Sequence, residues 1–375
     1  GILSEENSDD RVAITPEHIS QLKALKVGNI LVQSGAGVNA SYPDAEYVAK
    51  GATLESRQNV IAKSDLLIAI QPVAKNELEQ MEGKVLIGGF NPLVNHSFVI
   101  DCLETKVSAF SLDVIPRTTR AQAMDILSSM ATVAGYKAVL TAAVTLPKFF
   151  PMFMTAAGTI TPAKVVVLGA GVAGLQAIAT AKRLGAVVEA SDVRSAAREE
   201  VLSLGAKFIE VEGATEDKAA GGYAVEQSED FKKRQQAKVQ EHAAKADVII
   251  CTAQIPGRKA PVLLQKETVM QMKPGSVIID LAASTGGNCE LTENNKTIKV
   301  NGVTIIGDSN LPATMPYDAS KMFGKNIINF LKIMIDKDGA INLNWSDDLI
   351  TGTCIAHAGE IKNERVKGMV EPVQS

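Results

Sequence analysis

Residues 165–174 read Val165-Val-Val-Leu-Gly169-Ala-Gly171-Val-Ala-Gly174. A short β-branched run ends in three glycines, and the helix-forming stretch Leu175–Arg183 follows at once. This is the strand–turn–helix setting in which G-x-G-x-x-G holds a dinucleotide rather than merely marking a turn. Gly169 permits the tight turn, Gly171 lets a pyrophosphate approach the backbone, and Gly174 lets the helix pack closely on the strand. The N–H groups at the helix start lie at the positive end of its dipole, where phosphates are favoured. Twenty-three residues after Gly169, the strand candidate Ala186–Ala190 runs into Ser191-Asp192. A carboxylate there accepts from both hydroxyls of an adenosine ribose and repels a 2′-phosphate, so the pattern points to NAD(H). The competing explanation is a glycine-rich turn without a ligand.

Outward from this turn, apolar runs alternate with helical segments. The strand candidates are Lys164–Leu168, Ala186–Ala190, Lys207–Glu210, Asp247–Thr252, Ser276–Leu281 and Val303–Gly307. Near-continuous apolar strands separated by helices indicate a parallel sheet covered on both faces. Earlier in the chain, Asn29–Gln33, Asp65–Ile70, Lys84–Gly88 and Lys106–Leu112 form a second, smaller set without a phosphate-loop signature. The Ala-, Met- and Leu-rich segment Ala121–Leu146 reads as one long joining helix. Beyond it, Ala319–Lys337 carries Met322, Phe323, Ile327, Phe330, Leu331 and Met334 near helical spacing. The expectation is an α/β protein of two Rossmann-like domains with parallel sheets and a cleft between them. Residues 1–128 with 318–375 form the first domain and 129–317 the dinucleotide-binding one, the chain crossing back at its C-terminal end, where Asn342–Asn344 and a short tail close it.

Composition agrees with this class. At 375 residues the chain is too long for one ordinary core. Hydrophobic residues make up 46% and charged residues 21%, with a net charge of −4 and a pI near 5.7. That balance supplies no electrostatic footprint for nucleic acid. The four cysteines are scattered without a CxxC pair, which points to a reducing compartment, and Cys251, ending an apolar run, reads as buried and inert. The four histidines have no metal-ligand spacing, so no metal site is expected. No transmembrane helix is expected either, since the apolar stretch Val139–Pro162 is interrupted by Pro147, Lys148, Pro151 and Gly158. No basic leader precedes Gly1, whose identity suggests a trimmed start.

Two further segments stand out. The polar insertion Glu212–Ala224 contains Gly221-Gly222 and a single aromatic, Tyr223. It reads either as a solvated loop or as a mobile flap over bound nucleotide with Tyr223 as its anchor. The second is Pro116-Arg117-Thr-Thr-Arg120-Ala-Gln122-Ala-Met-Asp125-Ile-Leu-Ser128. It follows the strand candidate Lys106–Leu112, at the carboxyl edge of the first domain. Arg117, Gln122, Asp125 and Ser128 together offer donors and acceptors for an amide and a ribose. Asp and Ser at a helix start also serve as plain caps, and composition alone leaves both readings open.

This loop closely resembles one in the NAD(H)-binding domain I (alpha subunit) of proton-translocating nicotinamide nucleotide transhydrogenase. So do Met154-Thr-Ala-Ala-Gly-Thr, Gly169-Ala-Gly-Val-Ala-Gly-Leu-Gln-Ala-Ile, Gly221-Gly-Tyr, Thr252-Ala-Gln-Ile-Pro-Gly and Pro274-Gly-Ser-Val-Ile-Ile-Asp-Leu-Ala. The likeness runs from Asp10 to about Gly359. It implies a domain that binds NAD(H) and passes hydride directly to NADP on a partner domain or beta subunit, with proton movement in separate membrane-spanning subunits. It implies that Arg117, Asp125 and Ser128 hold the nicotinamide and that Gln122 reaches toward the partner's nucleotide; these four are the candidate catalytic residues. Gly169, Gly171, Val172, Ala173, Gly174, Asp192, Val193, Arg194, Gly222, Tyr223, Thr252, Ala253 and Leu281 are the candidate cofactor-binding residues. It further implies a homodimer, in which Phe149–Met154 is either interface or core, and a peripheral place on the cytoplasmic face of the inner membrane if the source is bacterial.

Hydride transfer between two nicotinamides moves no proton to or from either substrate. Holding the two reacting carbons about 3–3.5 Å apart is most of what protein must do. Two alternatives remain. Asp10-Arg-Val-Ala-Ile-Thr-Pro also resembles the amino-terminal motif of alanine dehydrogenase, whose imine chemistry needs proton transfer and a clamp on a substrate carboxylate. Where that family carries a Lys this chain has Gln71, and no His occurs in the matching Gly88–Pro92 stretch before His96. Arg11 is retained, but it can equally serve packing or a salt bridge. The second alternative is a non-catalytic NAD-binding module, in which Arg117 and Gln122 would be idle.

Overall fold

The computed structural model describes residues 1–6, 9–194, 196–211, 229–255 and 257–370. The chain forms two compact units, Gly1–Met130 with Pro312–Ser375, and Ala131–Leu311. Each is an α/β body on a mainly parallel sheet, the class the strand–helix alternation implied.

In the second unit the sheet runs Lys207–Phe208, Val187–Ser191, Lys164–Leu168, Val248–Cys251, Val277–Asp280, Val303–Ile306 and Thr297–Val300. Side chains alternate in their burial partners. Val165, Val167, Ile250 and Ile279 pack with Ala177, Ile178 and Ala181 of helix Val172–Arg183. Val166, Leu168, Ile249 and Ile278 pack with Val239, Ala243 and Val269 from helices Glu229–Ala244 and Lys266–Gln271. Because both faces are covered, alternation of polar and apolar residues is lost and each strand reads as a continuous apolar run. All neighbours are parallel except the last pair. Thr297–Val300 joins antiparallel through Asn301-Gly302, both at positive φ, a two-residue hairpin turn absent from the strand candidates above. Strand Lys164–Leu168 lies between Val187–Ser191 and Val248–Cys251, so the winding direction reverses there. Ligands bind at such switch points, outside the carboxyl ends of the strands.

The first unit repeats the plan. Its sheet runs Cys354–Ala356, Ser108–Ser111, Val85–Gly88 and Leu66–Ile68, and Ile2 bridges Ile68 to Val32 of a further parallel pair, Leu31–Gln33 with Thr53–Glu55. Ile68, Ile87 and Phe110 face one core and Leu67, Leu86 and Ala109 the other. Helix Pro316–Met334 covers the first of these faces with Phe323, Ile327, Phe330 and Met334, all essentially inaccessible. Burying each such side chain stabilises the fold by about 1.5–3 kcal/mol. Pro316 sits in the first turn, where its missing N–H costs nothing.

One expectation, on the joining helix, is corrected. The joining helix does not begin at Ala121: Thr119–Met124 is a 3₁₀ turn, Asp125 is extended, and the α-helix is Ile126–Thr145. The side chain of Asp125 captures the amide of Ser128, which ends one helix type and starts the other. That helix also has the length and composition of a membrane span, with a third of it buried, although the interrupted stretch Val139–Pro162 predicts none. Ile126 lies in one core and Ala138, Val139 and Ala142 in the other, while Leu127 and Val144 are exposed. The segment after the helix, expected as either interface or core, is divided. Phe150 is buried, but Phe149, Met152, Phe153 and Met154 are 42–75% exposed, and Phe153–Thr155 with Gly158–Ile160 forms an isolated two-stranded hairpin.

Candidate functional site

The glycine turn is built by close contacts. Gly169 has φ +99°, and a Cβ there would stand 2.6 Å from Thr252 Oγ1. A Cβ on Gly174 would lie 1.9 Å from the Gly169 carbonyl oxygen. Gly171 differs: a Cβ there meets nothing within 4 Å. The first intrahelical bond runs from Leu175 N–H to Gly171 O at 2.8 Å, so the amides of Val172, Ala173 and Gly174 are not spent on the helix. Open space over a glycine at a helix N-terminus fits a pyrophosphate.

Asp192 is placed to serve this turn, but it is already engaged. Its Oδ2 accepts the Ala170 amide at 2.7 Å and Arg194 Nη2 at 3.1 Å; its Oδ1 accepts the Arg194 amide at 2.8 Å and Nε at 3.0 Å. Four donors fill a carboxylate. The sequence pattern assigns both ribose hydroxyls to this group; a ribose taking them would require the Arg194 guanidinium to withdraw. Arg194 is in turn held above its ordinary pKa by that hydrogen bond.

The other candidates sit at the carboxyl ends of adjacent strands. Thr252 donates to Gly169 O at 2.9 Å, bracing the turn. Ala253 exchanges both backbone groups with the Asn288 side chain at 3.0 and 2.9 Å, and Leu281 O accepts Gln254 Nε2 at 2.6 Å. Behind them, fully buried Asp280 gathers the amides of Ala282, Asn288 and Cys289 and the Thr292 hydroxyl. Neither is among the sequence candidates: Asp280 lies inside the quoted Pro274–Ala282 run without being singled out, and Asn288 lies outside every quoted motif. Val172, Val193 and Ile255 leave 43–58% of their surface exposed at this edge, apolar walls suited to flat rings. Ile255 is absent from the sequence candidates, although it lies inside the quoted Thr252–Gly257 run. Gly222 and Tyr223 lie outside the described residues.

The Arg117–Ser128 loop belongs to the first unit. Arg117 and Gln122 are exposed, while Ala121 and Met124 plug into the core. Asp125 Oδ1 accepts the Ser128 amide at 3.0 Å and Oδ2 its hydroxyl at 2.6 Å. The capping reading of this pair is therefore realised, and the same geometry fixes both side chains for any ligand. Arg120 pairs with Asp347 and, at 2.8 Å, with Asp348. Pro116 nests on Gly352, where a Cβ would stand 2.4 Å from its Cγ.

Elsewhere in this unit, Arg11 is buried against Asp9, with Nε to Oδ1 at 2.8 Å and Nη2 to Oδ2 at 2.5 Å. The Arg11 amide at 3.2 Å and Gln71 Nε2 at 3.1 Å bring the donors on Asp9 to four. These contacts hold the Asp9 carboxyl below its usual range despite burial. Burial pushes the neighbouring Glu5 up to about 7, although it accepts the Ile70 and Gln71 amides.

The chain resembles known proteins along nearly its whole length. The family model "Alanine dehydrogenase/PNT, N-terminal domain" matches residues 1–134, and "Alanine dehydrogenase/PNT, C-terminal domain" matches 138–364. The chain is 45% identical over 370 residues to an NAD(P) transhydrogenase subunit alpha polypeptide of Rhodospirillum rubrum, covering 96% of each. It is 40% identical to NAD(P) transhydrogenase subunit alpha of Haemophilus influenzae, covering 98% of this chain and 72% of that one. An alanine dehydrogenase of Mycobacterium tuberculosis is 27% identical over 98% of this chain and 95% of its own. Among solved structures, a transhydrogenase from Sinorhizobium meliloti superposes with TM-score 0.88 at 41% identity, covering 96% of this chain and 99% of that one.

Proposed function

The chain belongs to the alanine dehydrogenase/PNT family, and from that premise we propose that it is the NAD(H)-binding component of a proton-translocating transhydrogenase. Hydride passes between NAD(H) at the Gly169–Gly174 turn and NADP(H) on a partner beta subunit. Bound NADH supplies the hydride. The chain's own residues bind and orient: the amides of Val172 and Ala173 receive the pyrophosphate, Asp192 takes the adenosine ribose as Arg194 withdraws, and Arg117, Asp125 and Ser128 hold the nicotinamide amide and ribose. Gln122, exposed on its turn, reaches the partner's nucleotide.

The observation that carries this reading against amino-acid dehydrogenation is the state of Arg11. Its guanidinium faces both oxygens of Asp9, and Gln71 stands where the alanine dehydrogenase motif has Lys. A cation already neutralised by its own carboxylate is a poor clamp for a substrate carboxylate, and an amide transfers no proton. Against a passive binding module stands the exposed pair Arg117 and Gln122 on a braced loop.

The exposed apolar hairpin supports a homodimer. Phe149, Met152, Phe153, Met154 and Ile160 form an apolar surface of the kind that marks an interface, and a second copy of the chain is the proposed occupant. Membrane association then comes through the beta and membrane-spanning subunits, placing this component at the membrane surface.

The test is NADH oxidation in two parallel reactions. One contains a transhydrogenase NADP-binding subunit with an oxidised NADP analogue, the other pyruvate and ammonium. Turnover in the first alone is expected; turnover in the second overturns the proposal.

A further inference from the structure

Helix Pro316–Met334 offers two amide side chains, one turn apart, to a single acceptor. Asn326 Nδ2 and Asn329 Nδ2 each lie 3.0 Å from the carbonyl oxygen of Ala123. Their i, i+3 spacing puts them on one helix face. A carbonyl oxygen has two lone pairs, and here both are filled from that face.

The orientation of these amides follows from chemistry. Turned over, either would set its oxygen against the Ala123 oxygen, so each must present nitrogen. Asn326 is 6% exposed, and its Oδ1 is buried without a hydrogen-bond partner among the described residues. A leucine would fill the same space without that orphaned acceptor. What asparagine supplies and leucine cannot is the donor to Ala123.

Ala123 follows Gln122 directly and precedes the Asp125 cap by two residues. Pro116 on Gly352 and Arg120 on Asp347 secure the first half of the loop, and Asp125 with Ser128 secures its end. The Asn pair grips the stretch between. We propose that Asn326 and Asn329 are positioning residues for hydride transfer, fixing the peptide that aims Gln122. This rests on the preceding reading of the Arg117–Ser128 loop. It also gives the segment after residue 315 a part in the site: the returning helix sets the loop's shape.

The experiment uses the chain with its NADP-binding partner and reads three quantities: single-turnover hydride transfer from NADH to an oxidised NADP analogue, NADH affinity, and thermal stability. The variants are Asn326→Leu, Asn329→Asp and Asn329→Gln. Asn326→Leu and Asn329→Asp are expected to slow transfer by about tenfold or more while NADH affinity stays within about twofold. Asn326→Leu should melt no lower than the parent, and Asn329→Gln, which keeps a donor, should recover most of the rate. Adding Gln122→Asn to Asn326→Leu should cost no more than Gln122→Asn alone, because both act through one side chain. Unchanged transfer in both donor-less variants overturns the proposal, as do losses that multiply with Gln122→Asn. If the parent chain itself transfers no hydride while binding NADH, the preceding reading fails first and takes this one with it.

Discussion

The Gly174 α-carbon faces the Gly169 carbonyl so closely that a Cβ would stand 1.9 Å from its oxygen, whereas a Cβ on Gly171 meets nothing within 4 Å. Two neighbouring glycines of one motif therefore do different jobs. Gly174→Ala should destabilise the fold by about 1–3 kcal/mol, because helix and turn must move apart. Gly171→Ala should melt like the parent, since φ −75° suits any residue. Both should weaken NADH binding by about tenfold or more, Gly171→Ala because its methyl occupies the space for the pyrophosphate. Paired melting curves and NADH titrations check this; normal NADH affinity in Gly171→Ala would remove the turn from the site.

Arg194 fills acceptor positions on Asp192 that the proposed site assigns to a ribose. Removing the guanidinium in Arg194→Ala frees two acceptor positions, and the expected outcome is NADH affinity equal to or tighter than the parent's. Asp192→Ala should lose affinity by about tenfold or more, because the Ala170 amide is also left without its acceptor. Calorimetric titration with NADH distinguishes these directions. A large loss in Arg194→Ala would make Arg194 a direct ligand instead.

Arg11 and Asp9 form a buried pair whose halves are unequal to the whole. Arg11→Ala leaves a buried carboxylate and should cost about 3–5 kcal/mol in urea unfolding. The double change Asp9→Ala with Arg11→Ala should cost less than Arg11→Ala alone. Neither variant should acquire activity with pyruvate and ammonium. A double variant less stable than the single one would show that the cluster does more than neutralise itself.

His18 makes the protein sensitive to mild acid. Its Nδ1 accepts the Thr15 amide at 3.2 Å, so the ring's proton is on Nε2, and burial lowers its pKa to about 4. The unfolded chain titrates near 6.5, so between about pH 4 and 6.5 the unfolded state binds a proton that the folded state refuses. Stability should therefore rise with pH across this window and be fully present above it, a contribution of about 3 kcal/mol. Urea midpoints between pH 4.5 and 7.5 should show a steeper slope for the parent than for His18→Gln, the difference isolating this group. Coincident profiles would refute the assignment.

The hairpin predicts an oligomeric change without a folding change. Met154→Glu places a charge on a residue 75% exposed in the chain, so the fold and NADH affinity should be unaffected. Sedimentation velocity should show a dimer for the parent and a monomer for the variant. A monomeric parent, or a dimer that survives the substitution, would remove this surface from the interface.

The parts legible in the sequence are those governed by local rules. Lys164–Leu168 ends where the first glycine of the turn begins, because β-branched residues favour strand and Gly169 alone accepts the φ the turn demands. The double-sided burial of the parallel strands is equally readable, since a strand covered on both faces has no polar alternation. Asn301-Gly302 obeys the same kind of rule as a hairpin dipeptide, but the strand before it, Thr297–Val300, alternates polar and apolar residues and is not among the strand candidates. The features that only the tertiary structure decided are side-chain commitments, some between near neighbours in sequence and some across most of the chain. Arg194 turning onto Asp192, Asp9 neutralising Arg11 under Gln71, and Asn326 reaching Ala123 across 203 residues are invisible to periodicity, because hydrogen-bond direction depends on where each backbone ends up. The chain's own order of residues thus determined which groups of chemistry it carries. Packing determined which of those groups are committed to one another, since a donor or acceptor satisfied inside the protein is no longer offered to a ligand at the same strength.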